Sequence, residues 1–132
     1  MASKVVLGAR PKNFKKTLTV DLPEGGQGQI VISYLYRTRK EFGVLVDELT
    51  AAAGVPPPKS EAPDEVAFSL HAAISASVEK NAEYILRVAD GWDLDAAWSL
   101  GTVRQLCDEL PGAALAIIDT YRAAITEGRL GN

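Results

Sequence analysis

Histidine and cysteine are almost missing from these 132 residues, with one of each, His71 and Cys107. A lone cysteine forms no internal disulfide, so packing must hold the fold, and the count fits a reducing compartment. With one histidine, a nucleophile–His pair or a zinc site would have to be built on His71. Its helical neighbours Ala67, Phe68, Ile74 and Ser75 supply no carboxylate. Cys107 stands beside Asp108, and a negative neighbour raises a thiol pKa, so the thiol reads as a core or half-buried group. Long apolar runs are missing too. None approaches the roughly 20 residues that cross a bilayer, and the opening Met1-Ala2-Ser3-Lys4-Val5-Val6-Leu7 is too short for a signal peptide. A soluble cytoplasmic protein is expected, with no membrane partner.

Motifs that would bind phosphate or metal are also lacking. Gly25-Gly26-Gln27-Gly28 is glycine-rich, but no Gly-Lys-Ser/Thr follows and no helix opens there. Asp90-Gly91-Trp92-Asp93-Leu94-Asp95 has no glycine at its sixth position and Gly101 where a calcium hand needs glutamate. Helix capping and solvation explain these aspartates more simply. There is no zinc spacing and no convincing acid pair. The chain is therefore expected to hold no catalytic residue, no cofactor and no metal.

What is present is ordinary globular material, 47% hydrophobic and 23% charged, of a length that suits one domain. Residues 1–13 read as a flexible basic N-terminus or short strand, and 14–132 as a single domain. Charge is uneven. Residues 1–40 hold eight Lys/Arg against two Asp/Glu, a surplus of +6, and residues 41–132 hold six against fifteen, −9. Together these return the net −3. A basic head suggests either nucleic acid or contact between subunits through opposite patches. The pI of about 5.1 weighs against nucleic acid.

Along the chain, Phe14, Leu18, Val20 and Leu22 fall on one parity and Lys15, Thr17, Thr19 and Asp21 on the other, which is a strand with one wet face. Lys16 interrupts the apolar row and is expected near the strand's open end. A turn through Pro23-Glu24-Gly25-Gly26 leads into β-branched and aromatic residues 29–36, completing a hairpin. The second strand is apolar on both parities and should be covered on both faces. A third strand over residues 4–7 is open. A lone hairpin is marginal in water, so helices or another subunit must support it.

Thr38-Arg39-Lys40-Glu41 has the capping-box pattern, and Phe42, Leu45, Val46 and Leu49 follow on one helical face. Gly54 and Pro56-Pro57-Pro58 end that helix. A second helix is expected over residues 64–88, striped by Val66, Leu70, Ile74, Val78, Ile85 and Val88, with Glu83 and Arg87 paired outside and Gly91 as its cap. Ser99 can cap a short helix, and Pro111 can open a final one presenting Leu115, Ile118, Tyr121 and Ile125 and ending at Gly128. The fold class is α+β, a β-hairpin followed by about four helices. Trp92 and Trp98 read as core packing. Tyr34 and Tyr36, beside Arg37, Arg39 and Lys40, either stack on bases or pack on the first helix.

The order of several pieces resembles the tail assembly chaperones of long-tailed bacteriophages and their prophages. These are Tyr36-Arg37-Thr38-Arg39-Lys40-Glu41-Phe42 after the hairpin, Tyr84-Ile85-Leu86 leading to Gly91-Trp92-Asp93-Leu94, Pro111-Gly112-Ala113-Ala114, Tyr121, and the ending Gly128-Arg129-Leu130-Gly131-Asn132. The resemblance implies a non-catalytic protein of the bacterial cytoplasm, absent from the mature virion. It would bind the aggregation-prone tape measure protein before tail tube subunits polymerise around it. It also implies a longer, frameshifted form in many phages. The exposed hairpin edge, or the +6 head against the −9 body, could string copies of the chain along the partner, so homo-oligomers are expected. A shallow helical groove could cover an apolar stripe of such a partner. The candidate contacts are Arg37, Arg39 and Lys40 with Tyr34 and Tyr36, and apolar positions near residues 54–63. Alternatives are a tail completion or adaptor protein, and a small nucleic-acid-binding regulator using the basic head.

Overall fold

The computed structural model describes residues 7–8, 10–53, 69–128 and 130. Seven elements follow in the order β1 (Asn13–Asp21), β2 (Gln27–Leu35), α1 (Arg39–Ala53), α2 (Leu70–Val88), β3 (Ala89–Trp92), α3 (Leu100–Glu109) and α4 (Pro111–Glu127). The three strands form an antiparallel sheet in the order β1-β2-β3, which with the helices makes an α+β fold.

The β1–β2 hairpin keeps one register from Asn13 opposite Leu35 to Asp21 opposite Gln27. Its turn runs through Pro23 and Glu24, with Gly25 N–H donating to Leu22 C=O at 3.0 Å. Gly25 and Gly26 then take φ of 94° and 77°, a backbone region closed to most residues with a side chain. Period two sends Phe14, Leu18 and Val20 of β1 and Ile30, Ile32 and Tyr34 of β2 into the core. Lys16 is not at an open end. It lies within β1 opposite Ile32 and is half-buried. The other parity of β2, with Val31, Ser33 and Leu35, is only half-covered.

The third strand is β3, which follows α2 and pairs with the far side of β2. Residues 4–6 of the alternative third strand lie outside the described residues. Gly91, expected to cap α2, instead pairs with Ser33 inside β3, and the cap is Ala89 in extended conformation. A bulge leaves Asp90 unmatched between Gly91 and Ala89. Asp93 then continues the ladder. Its N–H donates to Val31 C=O at 3.2 Å, and its carboxylate accepts from Val31 N–H at 2.9 Å. This aspartate stitches a sheet rather than capping a helix.

Helices α2, α3 and α4 pack on one another, and α4 also packs on the sheet. The α2 stripe is buried only in its second half, at Ala82, Ile85 and Val88. Leu70 and Ile74 are 62% and 49% exposed, against the expectation of a continuous buried stripe. Residues 64–68 of that expected helix, and the proline-rich stretch before them, lie outside the described residues. Ser99 caps α3 through a capping box with Thr102. Trp92 and Trp98 are half-buried and meet edge to face at 4.9 Å.

In α4 the buried stripe is Ala113, Ala114, Ile117, Tyr121, Ala124 and Ile125, while Leu115 is 53% exposed. The helix is rolled relative to the face read from its large side chains. Three alanines let it approach its neighbours closely, and two tyrosines fix the roll. Tyr34 donates its hydroxyl to Ile117 C=O at 2.7 Å, and Tyr121 donates to Leu35 C=O at 2.9 Å. Phe14, Tyr34, Tyr121 and Phe42 form one ring cluster, with centroids 5.2 to 6.1 Å apart. It joins β1, β2, α4 and α1.

Candidate functional site

Tyr36-Arg37-Thr38-Arg39-Lys40 bridges the end of β2 and the start of α1. The turn into α1 is fixed by the capping box read from the sequence. Glu41 N–H donates to Thr38 Oγ1 at 3.2 Å, and Thr38 N–H donates to Glu41 Oε1 at 2.9 Å. That hydrogen bond, with the Arg10 guanidinium 2.5 Å away, holds the Glu41 carboxyl below the usual carboxylate range. Arg10 also lies over the Tyr36 ring, 5.3 Å from its centroid. The bridge is a braced ridge, not a loose loop.

A hollow opens on each side of this ridge. One, of about 550 Å³, is lined by Arg10, Lys12, Leu35, Tyr36, Arg37, Glu41, Val44, Leu45, Glu48 and Arg87. The other, of about 390 Å³, is lined by Tyr36, Thr38, Arg39 and the C-terminal turn of α4 with Leu130. In the larger hollow Arg10 pairs with Glu41 and Arg87 with Glu48, at 2.5 and 2.7 Å. Arg87 therefore bridges α2 to α1 instead of pairing with Glu83 on its own helix. Among the described residues Lys12, Arg39 and Lys40 make no ion pair, so the ridge carries uncompensated positive charge.

The five sequence candidates separate here. Arg39 and Lys40 are exposed, and Tyr36 and Arg37 are half-buried on the ridge. Arg37 donates to the Tyr121 hydroxyl at 3.2 Å, so it also holds the ridge to α4. Tyr34 does not belong with them. It is 0% exposed, lies in the ring cluster rather than against α1 alone, and offers a partner nothing to touch. Burial pushes its hydroxyl well above the usual tyrosine range. Three participants were not singled out in the sequence. Arg10 and Lys12 were visible only as charge in the basic head, and Val44, 57% exposed on α1, falls outside the helix's apolar stripe.

The remaining titratable groups do not converge in the same way. His71 is exposed and shares an open hollow of about 520 Å³ with Glu79, Arg104 and Asp108. The fold thus supplies carboxylates that its helical neighbours lack, although Arg104 already donates to Glu79 at 2.9 Å. Cys107 is buried, and burial with the nearby Glu79 pushes its thiol up to about 11. A thiol so raised is a poor nucleophile near neutral pH. Among the described residues no cluster of three metal-ligating side chains occurs, and no helix is long and apolar enough to cross a membrane.

Among the described residues of this α+β fold, the hollows on either side of the ridge are open and charged at the rim. The whole chain, residues 1–132, matches the family described as phage tail assembly chaperone, and the protein belongs to that family. No curated protein and no solved structure matches it.

Proposed function

We propose that this protein binds the tape measure protein of its phage and keeps it soluble until the tail tube polymerises around it. The observation that carries this reading is the family match along the full chain. The surface supports it. The ridge at Tyr36 to Lys40 is braced by the contacts of Glu41 with Thr38 and Arg10 and flanked by hollows of about 550 and 390 Å³, a size that suits side chains of a helix. On this reading the protein acts stoichiometrically, without catalysis or cofactor, in the cytoplasm of the bacterial host, and leaves before the virion matures. Tail tube protein, a frameshifted longer form and further copies of the chain are its other proposed partners.

Deleting the gene from the phage or prophage and analysing both cells and particles tests this. The proposal expects tailless heads and tape measure protein in the insoluble fraction of the deletion strain, and wild-type virions free of this chain. Stoichiometric amounts in purified tails would make it a tail completion or adaptor protein instead.

A further inference from the structure

Helix α1 contains one glycine, Gly43, at its fifth residue, well inside the helix. Mid-helix glycine is destabilising relative to alanine, because the free chain has more backbone freedom to lose. Its φ is not in the left-handed region. Among the described residues, a Cβ built on it meets nothing within 4 Å. Neither backbone geometry nor internal packing requires glycine at this place.

Gly43 stands on the outward side of α1, next to exposed Val44 and one turn from Lys40 and Asp47. The buried side of the same helix carries Phe42 and Leu45, with Val46 and Leu49 half-covered. Val44 lines the larger hollow, whose apolar floor is Leu35, Tyr36 and Leu45. Among the described residues the hollow's lining has four cations and two carboxylates, and Lys40 and Arg39 extend the positive side along the ridge. This local surplus lies on a chain whose net charge is −3.

We infer that the outer face of α1 with this hollow is the docking site for an amphipathic helix of the partner whose flank is acidic. Resting on the proposed function, this assigns the tape measure segment its chemistry: an apolar stripe for Val44 and the hollow floor, and Asp or Glu for Lys12, Arg39 and Lys40. Gly43 lets the incoming helix approach α1 closely, since no side chain stands between the two backbones. Cations at the rim steer such a segment and set its direction. A nucleic acid is the less suitable occupant. It would use the cations but leave Val44 and the apolar floor without a counterpart.

The test uses the full chain and fluorescent overlapping peptides of about 30 residues covering the tape measure protein of the same phage, read by anisotropy. A duplex DNA of mixed sequence is the control ligand. Binding is expected from peptides with an apolar stripe and an acidic flank, and not from basic ones. Val44→Asp should weaken it at least about tenfold. Gly43→Ala should raise the thermal midpoint yet weaken binding, a combination that a merely structural glycine would not give. Leu115→Asp on α4 should leave binding unchanged. Peptides that bind wild type, Gly43→Ala and Val44→Asp equally would overturn the α1 site while leaving the holding function intact. Failure of every peptide and of the intact tape measure protein to bind wild type would overturn the function itself. DNA binding tighter than that of any peptide, and lost in Lys40→Glu, would assign the face to nucleic acid.

Discussion

Tyr34 shows how far a residue's type can be from its role. On the sequence it is an aromatic beside three cations, the composition of a contact surface. In the fold its ring is sealed among Phe14, Tyr121 and the underside of α4, and its hydroxyl satisfies Ile117 C=O. The second strand is apolar on both parities, which predicts cover on both faces, so its pattern did not mark the parity of Ile30, Ile32 and Tyr34 as the fully buried one. Tyr34→Phe removes one buried hydrogen bond and leaves the carbonyl without that donor, so it should cost about 1 kcal/mol in urea unfolding. No change in partner binding is expected. Alkaline pH addresses the same interior. The raised values of Tyr34, Tyr121 and Cys107 mean that the unfolded chain loses protons before the folded one. Their contribution is therefore full below the unfolded pKa and is lost as pH rises through the folded values. The denaturation midpoint should fall progressively above about pH 9. Cys107 should react with a thiol reagent at pH 8 only on unfolding.

At the scale of the element, the capped starts were the most legible parts. Thr38 with Glu41, and Ser99, stand where a helix opens because their side chains satisfy its first N–H groups, and Pro111 because it has no N–H to satisfy and its φ suits the first turn. Helix rotation was less legible. Reading α4 by its large side chains put Tyr121 and Ile125 inward, as they are, but also Leu115, whereas Ala113, Ala114, Ile117 and Ala124 complete the buried stripe. Alanine carries little hydrophobic signal, yet it lets elements approach closely. The strand β3 was hidden for a related reason. Four residues including Asp90 and Gly91 have no alternating pattern, and β2 dictates their conformation. Ile117→Ala should therefore cost about 2–5 kcal/mol, and Leu115→Ala almost nothing, as read by chemical denaturation. Glu41 sets an acid limb. Its carboxyl is lowered by the Thr38 N–H and by Arg10. The stability it supplies is present at neutral pH and is lost as pH falls through its folded pKa, below the usual range of about 4. Glu41→Gln should flatten the acid limb of the midpoint-against-pH curve. An unchanged limb would mean that neither the Thr38 N–H bond nor the pair with Arg10 contributes in solution.

On the scale of the whole molecule, the charge asymmetry of the sequence becomes a place. Arg10 and Lys12 before β1 share a hollow with Arg37 after β2 because the hairpin brings its two ends together, and Arg39 and Lys40 follow in the next residues. Acidic side chains such as Asp90, Asp95, Asp108 and Asp119 lie exposed on later elements. The sequence showed the surplus and its sign but not the hollow, which is built by residues as distant as Arg10 and Arg87. The family match assigns the chain to tail assembly, and the proposal is that this surface holds the tape measure protein. The most direct test is to co-express the two proteins and measure the soluble fraction of the tape measure protein and the copies of this chain that elute with it. The account predicts a tape measure protein that is soluble only in company, carrying several copies per molecule, with loss of both on charge reversal at Arg39 and Lys40. A tape measure protein equally insoluble with and without this chain, and never captured by it, would contradict the account.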